Sequence, residues 1–428
     1  MALEIQYTDV KQDTIDAATV AFGVFSREAI EKLSRERKEP AWMSAKRLRA
    51  WTLFCEMPGQ SGNPTLPVSR RLDLHEIKIQ ELTSPSRTNR VEVPKNFVNE
   101  FQRQDVIYTS LSEALQKYPE LVERYFMSEC VQINDSKYAA LHAALWTDGI
   151  FLYIPRNVKL TVPIESSLCI ESGDDAAFPH TLIIAEEGAT VTFVETFRSG
   201  NGNRQVVVDS VVEIFAGSDA TVHYISQQLL GDTTYHFAFK KAVAKKDAAV
   251  NWYEIGIGSK ISQSDIQLIL DESGASGELF GVYFPGGDQQ MEFDTLQVHA
   301  APSTKSNLLY KGALQNKAKT IFNGIIKVHK GAQRTDAYQA NKNILLSSDA
   351  HVDSIPTLEI EANDVRCTHG ATVGPVDEEV LYYLMSRGLD RKEATRMLIV
   401  GFLVPVIDKI PVEKIREEVL GYIESRIG

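Results

Sequence analysis

A short pattern recurs every 27 to 31 residues in the middle of this 428-residue chain. It reads apolar residue, small residue, polar turn, alanine, small residue, valine; its alanines are Ala189, Ala220 and Ala248, and Ala275 continues the series. A period near 30 with several short strands is typical of a coiled sheet, in which each strand stacks on the equivalent strand of the next turn. A propeller blade needs about 40 or more residues, and a sandwich has no reason to repeat. The pattern therefore predicts a parallel β-helix.

The sequence on either side of the repeat has a different character, which divides the chain into three regions. Residues 1–136 are predicted to be mainly helical, with a loop rich in Pro and Gly at 57–71. Residues 137–375 carry short β-branched and aromatic runs and are predicted to form the β-helix core. Residues 376–428 are predicted to form a C-terminal helical domain. The expected fold is mainly β, with helical regions at both ends.

Capping residues mark the expected helix boundaries. Ser26 is placed to cap the first helix, and the carboxylates from Asp377 onward favour the start of a C-terminal helix that Gly388 ends. Asp390 begins a capping box for the next helix, which we expect to stop at Pro405 because proline cannot donate to the helix ladder.

Charge and composition exclude several classes of protein. The chain has 45 Lys and Arg against 57 Asp and Glu, a net charge of −12, which argues against binding to nucleic acid through phosphate contacts. The N-terminal residues lack the basic start and apolar stretch of a secretory signal, and no apolar run approaches the roughly 20 residues that span a bilayer. We therefore expect a cytoplasmic protein without a membrane segment.

The strong enzyme motifs are missing from the sequence. Neither Gly-x-Gly triplet continues to Gly-Lys-Ser/Thr, so the chain has no phosphate-binding loop and is not expected to hydrolyse ATP. It also lacks His-Glu-x-x-His, Gly-x-Ser-x-Gly and the kinase signatures. These observations favour a protein that is not an enzyme.

The sharpest cluster of reactive residues is Cys367-Thr-His369. The other cysteines, Cys55, Cys130 and Cys169, are scattered, so neither a disulfide framework nor a self-contained metal knuckle is encoded locally. If the segment around Cys367 is extended, its sulfur and the imidazole of His369 point to the same face and could reach one metal ion. An iron–sulfur cluster usually takes four ligands, so the others would come from elsewhere. The alternative is that Cys367 packs in the core and His369 ends a strand.

The segment from Cys367 to Glu379, with the Leu-Tyr-Tyr-Leu and Ser-Arg-Gly-Leu stretches that follow, resembles the SufB/SufD family of iron–sulfur cluster assembly proteins. Agreement extends over nearly the whole chain. It includes Glu39-Pro-Ala-Trp-Met43 with Arg47-Leu-Arg-Ala50, Trp146-Thr-Asp-Gly149 and Asn341-Lys-Asn-Ile-Leu-Leu-Ser347. The resemblance implies an N-terminal helical region, a right-handed parallel β-helix and a C-terminal helical domain that docks the ATPase SufC.

Within this family the chain is most similar to the SufD type. SufB-type chains have an essential cysteine in an Asn-Gln-Cys-Asp-Ser-like segment and a Glu-His-Glu-Ala-Thr block. The corresponding places here read Asn341-Lys342-Asn343 and Thr368-His369-Gly370-Ala371-Thr372. The principal SufB cysteine is therefore absent.

The resemblance implies a scaffold subunit in a complex of SufB, SufD and two SufC, where a nascent iron–sulfur cluster forms at the SufB–SufD interface. His369 and Cys367 match the family's residues there, as transient cluster ligands or interface residues. Reduced flavin accompanies some such complexes, but nothing in this sequence identifies a flavin site. The C-terminal residues expected to meet SufC are Val380, Leu381, Leu384, Leu398 and Phe402.

Two other interpretations remain open at this stage. The chain could be a SufB-like scaffold that works as a homodimer, which Lys342 in place of the cysteine disfavours. It could also be a β-helix enzyme acting on carbohydrate, which rests on fold analogy alone. Against the enzyme stand the missing secretion signal and the absence of a clear carboxylate pair along one strand face.

Overall fold

Short strands alternate between two parallel sheets along the middle of the chain, and helices lie on both sides of this region in sequence. The computed structural model describes residues 26–57, 104–170, 175–200, 202 and 204–427. The helices are α1 (Arg27–Glu36), α2 (Ala41–Glu56), α3 (Leu111–Lys117), α4 (Pro119–Tyr125), α5 (Lys137–Leu145), α6 (Glu378–Ser386), α7 (Arg391–Ile407) and α8 (Glu413–Ile427). The strands are β1 (Ile107–Ser110), β2 (Asp148–Ile154), β3 (Ile164–Ile170), β4 (Ala176–Ala177), β5 (Pro179–Ala185), β6 (Thr190–Ser199), β7 (Val206–Ala216), β8 (Thr221–Leu229), β9 (Thr234–Ala244), β10 (Ala249–Gly256), β11 (Ile261–Leu270), β12 (Ser276–Tyr283), β13 (Gln290–His299), β14 (Lys305–Leu314), β15 (Lys319–Val328), β16 (Thr335–Leu345), β17 (His351–Ile360) and β18 (Val365–Pro375).

The two sheets form a parallel β-solenoid of about 8 turns, which confirms the predicted fold class. The first sheet runs in the order β1-β2-β5-β7-β9-β11-β13-β15-β17, with β4 paired to β7. The second sheet runs β3-β6-β8-β10-β12-β14-β16-β18. Apart from β1, which pairs antiparallel with β2, the strands pair in parallel with strands of the neighbouring turns, so equivalent side chains stack into columns inside the coil. One such column contains Phe193, Tyr224 and Trp252.

The repeated alanine sits at a turn of the coil, directly after a residue with left-handed backbone. Gly188, Asp219, Asp247 and Gly274 have φ of 68°, 57°, 57° and 79°, and each precedes one of the predicted marker alanines. These alanines are at most 1% exposed, because the corner leaves no room for a larger side chain. Gly, Asn and Asp are the residues that adopt this backbone most readily, which explains the polar turn in the repeat.

The same turn continues beyond the part of the repeat that the sequence pattern revealed. Ser303, before Thr304, and Arg334, before Thr335, also have positive φ, and both threonines are buried. Because neither pair contains Gly, Asp or Ala, only the structure shows that these turns are equivalent to the earlier Gly-Ala and Asp-Ala turns.

The N-terminal helices cover the first turns of the solenoid. The solenoid strands begin at Asp148 rather than at the expected residue 137, because Lys137–Leu145 forms α5, capped by the Ser136 side chain. All the residues of α5 after Lys137 are buried, since this helix packs between α2 and the first sheet. Apart from Met57, the predicted loop at 57–71 lies outside the described residues.

The C-terminal helices lie on the outer face of the second sheet. Ile399, Leu403 and Val419 share one apolar cluster with residues of the sheet's outer face, among them Ile255 and Phe280. Within the described residues, no helix combines the length and apolar character that a membrane crossing requires.

The predicted caps of these helices are confirmed, whereas the predicted end of α7 is wrong. Asp377 and Asp390 accept backbone N–H bonds at the starts of α6 and α7, and Gly388 has φ of 99°. Pro405 lies inside α7, which continues to Ile407. Burial of Val406 and Ile407 in the cluster with the second sheet stabilises the turn that follows the proline.

Candidate metal centre at the open end of the solenoid

Within the described part of the chain, no further strand pairs with the last turn of the solenoid. β17 and β18 end the two sheets, so each pairs with a strand on one side only. Most residues of β17 and β18 are half-buried or exposed, whereas those of β13 and β15 are almost all buried. Two apolar side chains, Ile360 and Val373, are each 41% exposed here. We call this surface, formed by β17 and β18, the open end.

Cys367 and His369 lie on β18, the edge strand of the second sheet. The strand is extended over Val365–Pro375, which confirms the conformation expected for this segment and places both side chains on one face. Cys367 pairs in register with Ala337 of β16, and His369 pairs with Gln339 of the same strand. Cys367 is half-buried and packs on an interior cluster that includes Ala337, whereas His369 is exposed. Both side chains therefore point into the mouth of the coil.

The surroundings of Cys367 favour the neutral thiol. Partial burial raises the pKa of the thiol, the Asp336 carboxylate raises it further, and a backbone hydrogen bond to Ala337 opposes them. Asp336 is in turn held by Arg366, through Nε and Nη2 at 3.0 and 2.9 Å. Because a metal binds the thiolate, a cation at this site would have to displace the thiol proton.

Two ligands are fewer than a cluster usually takes. In the described part of the chain, no group of three or more His, Cys, Asp or Glu side chains is arranged to hold a metal ion. A sulfur and an imidazole nitrogen are donors that suit iron, with four protein ligands the usual number for an iron–sulfur cluster.

The other cysteines lie apart from the open end. Cys130 is buried and donates to the Lys241 carbonyl at 3.0 Å, Cys55 is half-buried on α2, and Cys169 is exposed on β3.

Two histidines come together where α5 meets the outer face of the first sheet. His142 Nε2 is 3.1 Å from His180 Nδ1, and His180 Nε2 is 3.1 Å from Glu213 Oε2. All three side chains are buried, and burial lowers the pKa of both histidines and raises that of Glu213 to about 8. This chain of contacts joins the N-terminal helices to the solenoid.

The five C-terminal residues expected to meet a partner have very different surroundings. Val380 is 41% exposed, Leu384, Leu398 and Phe402 are half-buried, and Leu381 is 1% exposed. The largest exposed apolar side chains of this region are not among those five: Tyr382 at 75%, Tyr383 at 55%, Met397 at 47% and Met385 at 38%. The spacing of apolar residues shows that a helix has an apolar face, but not which edge of that face packs against the core. The sequence therefore could not distinguish the buried apolar residues from the exposed ones.

Comparison with protein families gives two matches that together span most of the chain. Residues 168–402 match the SUF system FeS cluster assembly SufBD core domain. Residues 88–165 match the SufBD protein N-terminal region.

Individual relatives agree with these matches. The iron–sulfur cluster assembly protein SufD of Bacillus subtilis is 31% identical over 94% of this chain and 98% of its own length. SufBD family proteins of Staphylococcus haemolyticus and Staphylococcus epidermidis are each 30% identical over 90% of this chain and 89% of their own length.

These relatives match this chain, with its parallel β-solenoid, its helices at both ends and the Cys-x-His pair on its last strand, over most of their own length. This chain belongs to the SufBD family of iron–sulfur cluster assembly proteins, and it matches SufD well.

Proposed function

We propose that this chain is a SufD-like scaffold subunit which, with a SufB-type partner and the SufC ATPase in the cytoplasm, takes part in building an iron–sulfur cluster at its open end. It would catalyse no reaction alone. The observation that carries the proposal is the position of Cys367 and His369, side by side in the mouth of the coil on an edge strand.

The open end suits a partner that has its own strands and ligands. The edges of β17 and β18 present unpaired backbone groups, which can pair with strands of another chain. Exposed Ile360 and Val373 would be buried by such a partner. The partner would then supply the ligands that complete the site, since Cys367 and His369 provide two of the usual four.

The C-terminal helices provide a second surface and a connection to the first. We define the α6 surface as the exposed apolar side chains of this region, Val380, Tyr382, Tyr383, Met385 and Met397. β18 ends at Pro375 and α6 begins at Glu378, so a force on α6 acts on the strand that carries both candidate ligands. ATPase subunits that move the α6 surface would in this way shift the open end.

The test is His369→Ala in a strain that supplies the SufB-type and SufC-type partners. We expect the purified complex to keep its subunits but to lose most of its bound iron and sulfide, measured by chemical analysis and by ultraviolet–visible spectroscopy. Thr368→Ala is the matched control, because Thr368 is exposed on the same strand and points to the opposite face.

Normal iron and sulfide in the His369→Ala complex would remove this residue from cluster formation. Purification of the wild-type chain as a homodimer with the ATPase, without a SufB-type subunit, would instead support the homodimeric scaffold.

A further inference from the structure

A chain of hydrogen bonds runs from α5 into the first sheet through three buried side chains. On α5, His142 Nδ1 is 2.9 Å from the backbone carbonyl oxygen of Asp209. The other ring nitrogen, His142 Nε2, is 3.1 Å from His180 Nδ1 of β5, and His180 Nε2 is 3.1 Å from Glu213 Oε2 of β7. His142, His180 and Glu213 are all 0% exposed. Each contact therefore needs one donor and one acceptor from within the chain itself.

The carbonyl at one end determines the direction of every bond in this chain. A carbonyl oxygen only accepts, so His142 carries its ring proton on Nδ1 and, as a neutral ring, accepts at Nε2. His180 must then donate from Nδ1 and accept at Nε2. The group that faces His180 Nε2 is the Glu213 carboxyl, which can donate only when it is protonated. Burial lowers the pKa of both histidines, which favours the neutral rings.

The surroundings of Glu213 favour the same position of the proton. Burial raises the pKa of its carboxyl to about 8, against the backbone N–H groups of Met127 and Val131 and the charges of Lys46 and Lys241, which lower it. The hydroxyl oxygen of a protonated carboxyl can still accept the Met127 N–H at 2.7 Å while it donates to the histidine.

The charged groups around Glu213 have other partners. Lys46 of α2 donates its Nζ to backbone carbonyls of the segment between α4 and α5, and Lys241 Nζ of β9 is 3.8 Å from Asp135 Oδ2. Burial raises the pKa of the Asp135 carboxyl and of the Cys130 thiol, and a charge on Glu213 would raise both further. These two groups therefore oppose ionisation of Glu213, and the two cations favour it from a distance.

We propose that Glu213 holds a buried proton which joins α5 to the first sheet: its carboxyl donates to His180 Nε2, and release of this proton to water opens the joint. Without the proton, His180 lies between two acceptors, His142 Nε2 and a carboxylate, with one ring N–H to share between them. Whichever nitrogen carries that N–H, one contact lacks a hydrogen. The joint lies at the opposite end of the solenoid from the open end, so this inference does not depend on the proposed role of His369.

The first test reads the histidine tautomers of the wild-type chain, labelled with ¹⁵N-histidine, by long-range ¹H–¹⁵N correlation at about pH 7. We expect His142 and His180 both to carry the proton on Nδ1, the less common form of free histidine. His236 is the internal control: it is 1% exposed, and its Nε2 faces Ser210 Oγ, whose own proton goes to the Phe237 carbonyl. His236 should therefore carry its proton on Nε2. Each signal is assigned by its absence in the corresponding His→Gln variant.

The second test follows amide exchange of α5 by mass spectrometry from about pH 7 to 9, corrected for the intrinsic pH dependence of exchange. When the joint opens, the pKa of Glu213 returns from about 8 towards about 4.3, so opening releases a proton and becomes about 10-fold more frequent per pH unit until about pH 8, where this contribution levels off. Glu213→Gln should lose this contribution, because the glutamine amide donates to His180 at every pH. α7, on the second sheet, should exchange alike in both proteins.

The matched control is Asp209→Asn, which removes a second buried acid of β7. Asp209 is 0% exposed, and its carboxyl oxygens have no hydrogen-bond partner among the described residues. Only its backbone carbonyl belongs to the chain of hydrogen bonds. This variant should therefore keep the Nδ1–H tautomers of both histidines and the step in α5 exchange that depends on Glu213.

Two results would overturn the proposal. One is a wild-type His180 with its proton on Nε2, or with both nitrogens protonated, since either would place the ionised form of Glu213 in the folded protein. The other is α5 exchange with the same pH dependence in the wild type and in Glu213→Gln. The pattern of tautomers in the wild-type spectrum needs no stable Glu213 variant, so poor folding of Glu213→Gln would leave the first test decisive.

Discussion

One buried arginine links separate elements of the N-terminal region. Arg47 of α2 is 0% exposed and binds Glu39 through Nε and Nη2 at 2.8 and 2.6 Å. Its guanidinium also donates to the carbonyls of Ala144 and Trp146 at 2.9 and 3.0 Å. One side chain thus joins the turn between α1 and α2 to the end of α5. Glu39 and Arg47, which belong to the N-terminal residues that resemble the family, therefore have a structural role.

Replacing Arg47 by Met should lower the free energy of unfolding by about 3–5 kcal/mol, because it leaves the Glu39 carboxylate buried without a counter-charge. Denaturant-induced unfolding followed by circular dichroism measures the effect. Arg49→Met is the control, since Arg49 is exposed on the same helix. The double variant Arg47→Met with Glu39→Gln should recover part of the loss; no recovery would contradict the ion-pair explanation.

Glu213 should make stability fall with pH on the alkaline side of neutrality. Burial raises its pKa to about 8, so the folded protein holds a proton there that the unfolded chain releases near its ordinary value. The stability gained is complete below the unfolded pKa and is lost as pH rises through about 8. His180 acts in the opposite sense, since burial lowers its pKa to about 3, but that effect is complete above the ordinary histidine pKa.

Melting temperatures of Glu213→Gln and the wild type, measured by differential scanning calorimetry from about pH 6.5 to 9, give this contribution as a difference. The wild type should lose stability relative to the variant as pH rises. The variant will also be less stable at all pH values, because Glu213 accepts N–H bonds from Met127 and Val131 at 2.7 and 2.9 Å. Parallel curves for the two proteins would rule out the raised pKa.

Among the secondary-structure elements, α7 shows how a helix tolerates an internal proline. Pro405 cannot donate an N–H and disturbs the carbonyls one turn earlier. Lys311 of β14 donates its Nζ to the Phe402 carbonyl at 2.6 Å, and the same ammonium lies 4.6 Å from the Phe402 ring centroid. The second sheet therefore supports the helix where the proline weakens it.

Lys311→Met should loosen α7 without unfolding the solenoid, because it removes a charged donor and leaves the carbonyl at the proline unsupported. A bond from a charged donor contributes about 1.5–3 kcal/mol, so backbone amides of residues 391–407 should exchange with deuterium roughly 10–100 times faster, as read by mass spectrometry. Lys342→Met is the matched control, since Lys342 pairs in register with Lys311 but is exposed. Equal exchange in both variants would contradict this role.

The sequence predicted features that depend on neighbouring residues in the chain, but not those that depend on how the strands stack. Helix caps such as Asp390 and the Gly-Ala or Asp-Ala turns follow from backbone preference, so they were visible in the chain. The turn at Arg334 was not, because strand stacking imposes its left-handed backbone on an unsuitable residue. For the candidate site, spacing predicted that Cys367 and His369 share a face, but their place at the mouth of the coil depends on the register of β16 and β18.

In the whole molecule, the two ends of the solenoid differ in the elements that cover them. The first turns are covered by α3, α5 and the antiparallel strand β1, whereas no strand in the described ranges pairs with either sheet edge at the last turn. A solenoid usually needs a cap at each end, which agrees with the proposal that another chain completes the open end. The α6 surface consists of other side chains than the open end, so the two proposed partners would not compete for the same residues.

The independence of these surfaces can be tested with one variant for each. Ile360→Lys with Val373→Lys places charges at the open end, where lysines oppose edge-to-edge pairing, and should abolish binding of a SufB-type partner while a SufC-type partner stays bound. Tyr382→Ser removes the most exposed large apolar side chain of the α6 surface and should weaken SufC-type binding by about 10-fold or more, with the open-end partner unaffected. Native mass spectrometry of co-expressed subunits gives the composition of each complex.

Matched controls lie elsewhere on the chain: Val162→Lys, at a residue 42% exposed beside β3, and Tyr118→Ser, at a residue 36% exposed after α3. Both should keep both partners, because neither residue belongs to the open end or to the α6 surface. Loss of both partners from either test variant would mean that the two surfaces depend on each other, and the connection from α6 through Pro375 to β18 would then be needed for binding as well as for motion.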